Sequence, residues 1–183
     1  MATKRKEPTP SKSTITALAA KEKCHILYDG SRTGHRSCGI AIAETFDVPT
    51  NSYQALRRGG LTGEGHCGAI EAGRLVLGEL LGDASPTGPP TPALISAVSH
   101  YDEGWSKLEI LKAEEGKRPN IVCNHLTGKF PIFKSPERHS MCTHIARDVA
   151  KLVADVLIEE GQPVNISPID DVDDFDPQKP NPV

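Results

Sequence analysis

One stretch constrains this chain more than any other: Gly59 to Gly73, reading GGLTGEGHCGAIEAG. Glycines 59, 60, 63, 65 and 68 fall within ten residues, which frees the backbone for left-handed and closely approaching conformations. The apolar residues that follow predict a helix over about Cys67 to Leu81. A cysteine leaving such a turn sits at a helix N-terminus, where unpaired N–H groups and the helix dipole favour a thiolate. The turn therefore points to sulfur chemistry on a helical frame.

Length and composition bound the rest. A chain of 183 residues suits one domain with tails. Aromatics are only 4% against 37% hydrophobic residues, so the core is built from Leu, Ile, Val and Ala, which favours helix-on-helix packing. A net charge of −3 gives no bulk electrostatic case for nucleic acid or acidic membranes. No apolar run approaches the ~20 residues of a bilayer span, and the N-terminus lacks a signal-peptide core. The expectation is a soluble, cytoplasmic protein without nucleic-acid or membrane partners. In a reducing compartment, five cysteines point to metal binding or redox work rather than a disulfide framework.

Residues 1–12 read as a disordered basic tail, 13–161 as a single compact all-α domain of about five to seven helices, and 162–183 as an acidic, proline-rich tail. That C-terminal end reads as a solvated or docking tail, and both ends are expected to be disordered. Ser13 is placed to cap a helix over about Thr14 to Tyr28, with Ile15, Leu18, Ile26 and Leu27 buried and Asp29-Gly30 ending it. A short, almost wholly apolar helix follows from about Ser37 to Phe46. The helix after the glycine turn carries Ile70, Leu75, Val76, Leu77, Leu80 and Leu81. Thr91-Pro92 opens another, with Leu94, Ile95, Val98 and Tyr101 at helical spacing. Lys107 to Lys117 reads equally as helix or strand. Ser135-Pro136 starts a helix to about Glu160 with Cys142, Ile145, Val149, Leu152 and Val156 on one face.

Cys38, Cys67, Cys123 and Cys142 each begin or lie near the start of a predicted apolar element. Each has a histidine within three positions: His35, His66, His125, and both His139 and His144. Thiolates with imidazoles suit zinc, copper(I) or iron–sulfur clusters. A neighbouring imidazolium would equally lower a thiol pKa for disulfide chemistry. No C-x-x-C is present, so the four must meet through the fold. The rival reading is that they are small buried hydrophobes. Cys24, on the first helix, reads as structural. Gly63 to Gly68 satisfies G-x-G-x-x-G, but QALRR rather than a strand precedes it, so no nucleotide is expected.

Cys38, then Cys67-Gly68-Ala69, then Cys123 and Cys142, with Gly59-Gly60 and Val76-Leu77-Gly78, resemble the C_GCAxxG_C_C four-cysteine family of redox-active proteins. The resemblance covers about Ser37 to Ala150 and departs where Ala72 replaces the motif's last glycine, with Gly73 one place later. It implies a mostly helical fold and redox activity of the cysteines. Through a similar domain in the split-Soret cytochromes, it also implies non-haem iron or an iron–sulfur centre. Without C-x-x-C-H, covalent haem is not expected.

The leading expectation is therefore a redox protein, with Cys38 and Cys67 reactive and all four cysteines converging on an iron–sulfur cluster or another soft metal. His66, His125 and His139 are secondary ligand candidates. A redox protein or small thiol would be its partner, and a homodimer follows from the resemblance. The alternatives are a metal-free dithiol/disulfide couple centred on Cys67 and a non-catalytic helical binding module with structural cysteines.

Overall fold

The computed structural model describes residues 11–111 and 117–183. Most of the expected N-terminal tail, and part of the 107–117 stretch, lie outside them. The fold is all-α, with six helices and no strand among the described residues: α1 Lys12–Asp29, α2 Cys38–Thr45, α3 Gly68–Leu81, α4 Pro92–Ser106, α5 Cys123–Thr127 and α6 Pro136–Glu159. Short 3-10 turns cover Ser52–Leu56 and Glu109–Leu111.

Local chemistry accounts for the helix ends. Ser11, not Ser13, caps α1 by accepting the Thr14 N–H at 3.2 Å. Gly30, at φ 75°, closes that helix by donating to the Ile26 carbonyl. Thr91 and Ser135 cap α4 and α6, each followed by proline at the first helical position.

The 24-residue α6 is the spine: it packs along α1 and also touches α2, α3 and α4. Its buried stripe of Ile145, Val149, Val153, Val156 and Leu157 faces Ala19, Ala20 and Leu27 of α1 in the common core. The small residues on α1 let the two helices approach closely. The short α2, buried along Gly39 to Ala43, is enclosed by α1, α3 and α6.

Two expectations give way. Ile15 and Leu18 on α1 are only half-buried, because the first turns of α1 lie at the edge of the bundle. Leu75 and Leu80 on α3 are 47% and 46% exposed, and Ile95 on α4 is 61% exposed, because only one face of each helix meets the bundle. The C-terminal end is not a loose tail. Ile166, Ile169, Val172 and Phe175 are buried in the core, so apolar spacing outweighs the acidic composition. The docked segment also partners two charges buried on α1. Glu22 accepts from the Asn181 N–H at 2.6 Å and from Asn181 Nδ2 at 2.9 Å. Lys23 Nζ donates to Ser167 Oγ at 2.7 Å and to Asp47 Oδ1 at 3.1 Å.

Candidate functional site

Four of the five cysteines line one cavity of about 960 Å³. Cys38 is the first residue of α2, Cys67 the N-cap of α3, Cys123 the first residue of α5, and Cys142 lies in the second turn of α6. Cys24 is fully buried on α1 and stands apart from the cavity.

The glycine turn sets this arrangement. Arg58, Gly59, Gly60, Leu61 and Gly63 all take positive φ, between 49° and 89°, and the chain doubles back so that the Gly59 carbonyl accepts the Gly65 N–H at 3.0 Å. The returning strand-like edge is stapled to the segment before α5. Cys67 N–H donates to the Ile121 carbonyl at 2.7 Å, Cys123 N–H to Gly65 at 2.9 Å, and Asn124 N–H to Gly63 at 2.9 Å. His66 and Val122 form an antiparallel bridge between these bonds. Backbone pairing thus fixes Cys67 beside Cys123. Gly68 performs the matching task for Cys38: a Cβ there would lie 2.9 Å from Cys38 Sγ and 2.4 Å from the Leu56 carbonyl oxygen.

The thiols influence one another in every pairing. Burial pushes the Cys67 thiol up to about 12; the Ile70 and Ala69 N–H groups pull it down, while Cys142 and Cys123 push it further up. Burial raises Cys38 as well, followed by the effects of Cys67 and Cys142, against the Gly39 N–H and with Cys123 adding to the rise. Cys123 is raised by burial and then by Cys142, with Arg138 and Arg58 opposing. The expected thiolate at the α3 N-terminus is therefore corrected: the helix N–H groups act in the expected direction, but desolvation wins. Tyr28 joins the group, its hydroxyl raised by burial and by Cys142 and Cys38, and it accepts from Arg138 Nη1 at 3.3 Å.

The histidines divide. His66 is exposed and bonded to Glu71 Oε1 at 2.8 Å, and it does not face Cys67. His125 is exposed on α5, away from the cavity wall. His139 does line the cavity, donating through Nε2 to the Asp29 carbonyl at 3.1 Å. His35, bonded through Nδ1 to the Tyr28 carbonyl, lines it too. Among the described residues, no three His, Cys, Asp or Glu side chains stand close enough to share one metal ion.

Sequence reasoning missed the cavity's cations. Arg57, Arg58, Lys134 and Arg138 line it, and two of them meet the Phe133 ring, with Arg138 Cζ 4.5 Å and Arg58 Cζ 5.0 Å from its centroid. The adjacent Arg57-Arg58 pair leading into the glycine turn was the available signal. No helix among the described residues is long and apolar enough to cross a membrane. No family model, no curated protein and no solved structure matches the chain.

Proposed function

We propose that this is an electron-transfer protein in which Cys38, Cys67, Cys123 and Cys142 hold an iron–sulfur cluster. The observation that carries this reading is the placement of four thiols, drawn from four helices, around one desolvated cavity where each affects the others. A single tetrahedral ion with sulfur about 2.3 Å away needs ligands only about 4 Å apart. No three such side chains among the described residues stand that close, which favours a polynuclear centre, whose thiolates attach at separate corners, over a single ion. When bound, such a cluster supplies one-electron transfer.

The chain's own groups match that role. The Gly39, Ala69 and Ile70 N–H groups are aimed at Cys38 and Cys67, where such hydrogen bonds tune potential. Burial makes the bare Cys38, Cys67 and Cys123 thiols hold their protons, so ligation must expel them. Arg58 and Arg138 favour the charged form of Cys123 and offset the charge that ligation leaves behind. A redox protein or a small thiol at the exposed rim would exchange the electron.

A metal-free dithiol couple fits less well. Disulfide exchange needs an attacking thiolate near ambient pH, and the Cys67 thiol lies far above it. A purely structural role predicts scattered cysteines, whereas four share one wall.

The test is iron and acid-labile sulfide analysis with an ultraviolet–visible spectrum on protein prepared without oxygen. Iron and sulfide together, lost in Cys67→Ser and Cys142→Ser but kept in Cys24→Ser, is the expected result. Protein that takes up neither on anaerobic reconstitution would end this reading.

A further inference from the structure

The cavity holds more positive charge than its own residues answer. Arg57, Arg58, Lys134 and Arg138 line it, and none forms an ion pair with a carboxylate among the described residues. The one carboxylate in the wall, Asp29, is engaged elsewhere: it accepts the Ser31 N–H at 3.2 Å and faces His139 at 3.8 Å. On a chain of net charge −3, such a concentration of cations is local and specific.

Two buried polar atoms in the same wall lack partners. Arg138 Nε and Ser37 Oγ are both enclosed, and neither has a hydrogen-bond partner. Unpaired buried donors of this kind are destabilising unless a ligand or water completes them. The Arg58 and Arg138 guanidinium groups both lie over the Phe133 ring, 5.0 Å and 4.5 Å from its centroid, which restricts where they point. The volume, about 960 Å³, is at the upper end of the roughly 300–1,000 Å³ typical of small-molecule sites.

We propose that this cavity binds a small oxyanion or carboxylate ligand on Arg58, Arg138 and Ser37, beside the four cysteines. Arg138 supplies the fork geometry that matches a two-oxygen anion, and Ser37 the hydroxyl donor. This rests on reading the cavity as the redox site and gives the class of molecule that meets it there. An inorganic oxyanion and the carboxylate of an organic acid share the recognised chemistry.

The experiment is calorimetric titration of the full chain, stripped of metal, with inorganic sulfate in one arm and succinate in the other, at constant ionic strength. Iron and sulfide are assayed on the same preparations. The expected result is saturable 1:1 binding of at least one probe, weakened tenfold or more by Arg138→Gln and by Arg58→Gln. Arg138→Lys is expected to recover only part of the affinity, and Lys151→Gln, outside the cavity and paired with Asp155, to change nothing. Sulfate alone binding identifies the inorganic source; succinate alone identifies the organic one. If Arg138→Gln fails to fold by circular dichroism, the exposed Arg58→Gln decides the matter. Binding by protein that never takes up iron would support the anion site while removing the cluster. No saturable binding, affinity unchanged in both arginine variants, or binding that vanishes once a cluster is loaded would overturn the proposal.

Discussion

The Tyr101 hydroxyl of α4 donates to the Ile70 carbonyl of α3, 2.8 Å away, across the space that Gly73 leaves open. A Cβ at Gly73 would lie 2.2 Å from that hydroxyl oxygen. The glycine one place beyond the resembled motif thus serves a close approach after all, by a side chain rather than by backbone. Gly73→Ala is expected to destabilise the fold by about 1–3 kcal/mol through overpacking. Tyr101→Phe should lose about 1 kcal/mol, the net worth of one hydrogen bond. Urea unfolding measures both, and a neutral Gly73→Ala would show that α3 and α4 are not locked here.

Gly68→Ala and Gly78→Ala should move in opposite directions. At Gly68 the new methyl meets the Leu56 carbonyl at 2.4 Å and Cys38 Sγ at 2.9 Å, so the backbone must shift. A loss of about 1–3 kcal/mol and a lower iron content on reconstitution are expected. Gly78 has open space in the same helix, and alanine there should add roughly 0.5–1 kcal/mol. Denaturation midpoints that fall for both variants would contradict this.

The thiols give the metal-free protein a pH dependence of definite sign. In the unfolded chain Cys67 titrates near its ordinary value of 9.0, and in the fold near about 12. The folded state therefore binds the proton more tightly, so this contribution is complete below pH 9 and fades as pH rises toward 12. Urea midpoints should decline over that window in the wild type and less steeply in Cys67→Ala. Equal slopes would assign the decline to other groups. Iron uptake should release protons and strengthen with rising pH.

Removing residues 162–183 should destabilise the protein by several kcal/mol. Burying one large apolar side chain contributes roughly 1.5–3 kcal/mol, and Ile166, Ile169, Val172 and Phe175 would all leave the core. Glu22 and Lys23, 1% and 2% exposed, would also lose Asn181 and Ser167. Thermal unfolding of the shortened chain reads this, and an unchanged midpoint would mean that the segment lies on the surface without bracing it.

What could be read from residues alone was whatever is decided within a few positions. Thr91-Pro92, Ser135-Pro136 and Gly30 act through hydrogen bonds to neighbours, and the structure uses each as its chemistry suggests. Cys38 and Cys67 at helix starts were legible for the same reason, whereas Cys123, read only as part of a short apolar segment, opens α5. The half-burial of Ile15 and Leu18 and the exposure of Leu75, Leu80 and Ile95 were not legible, because helical spacing does not reveal how much of a helix its neighbours cover. His66 lies next to Cys67 in sequence yet turns to Glu71, since it precedes the helix in an extended bridge to Val122, where successive side chains point to opposite sides. Lys134, Arg138 and Phe133 could not be assigned to the cavity, because the turn carrying Phe133 and Lys134 and the start of α6 carrying Arg138 meet Arg58 only through tertiary folding.

The stapling of the glycine turn to the segment before α5 has one more effect. Cys38 and Cys142 are separated by most of the domain, and Cys67 and Cys123 are pinned between them by backbone bonds. Any ligand gripping all four sulfurs is a crosslink that ties the chain into a loop of about 100 residues, which for a covalent bridge would stabilise by about 4–5 kcal/mol. Occupancy of the cavity and resistance to unfolding would then be two readings of one equilibrium.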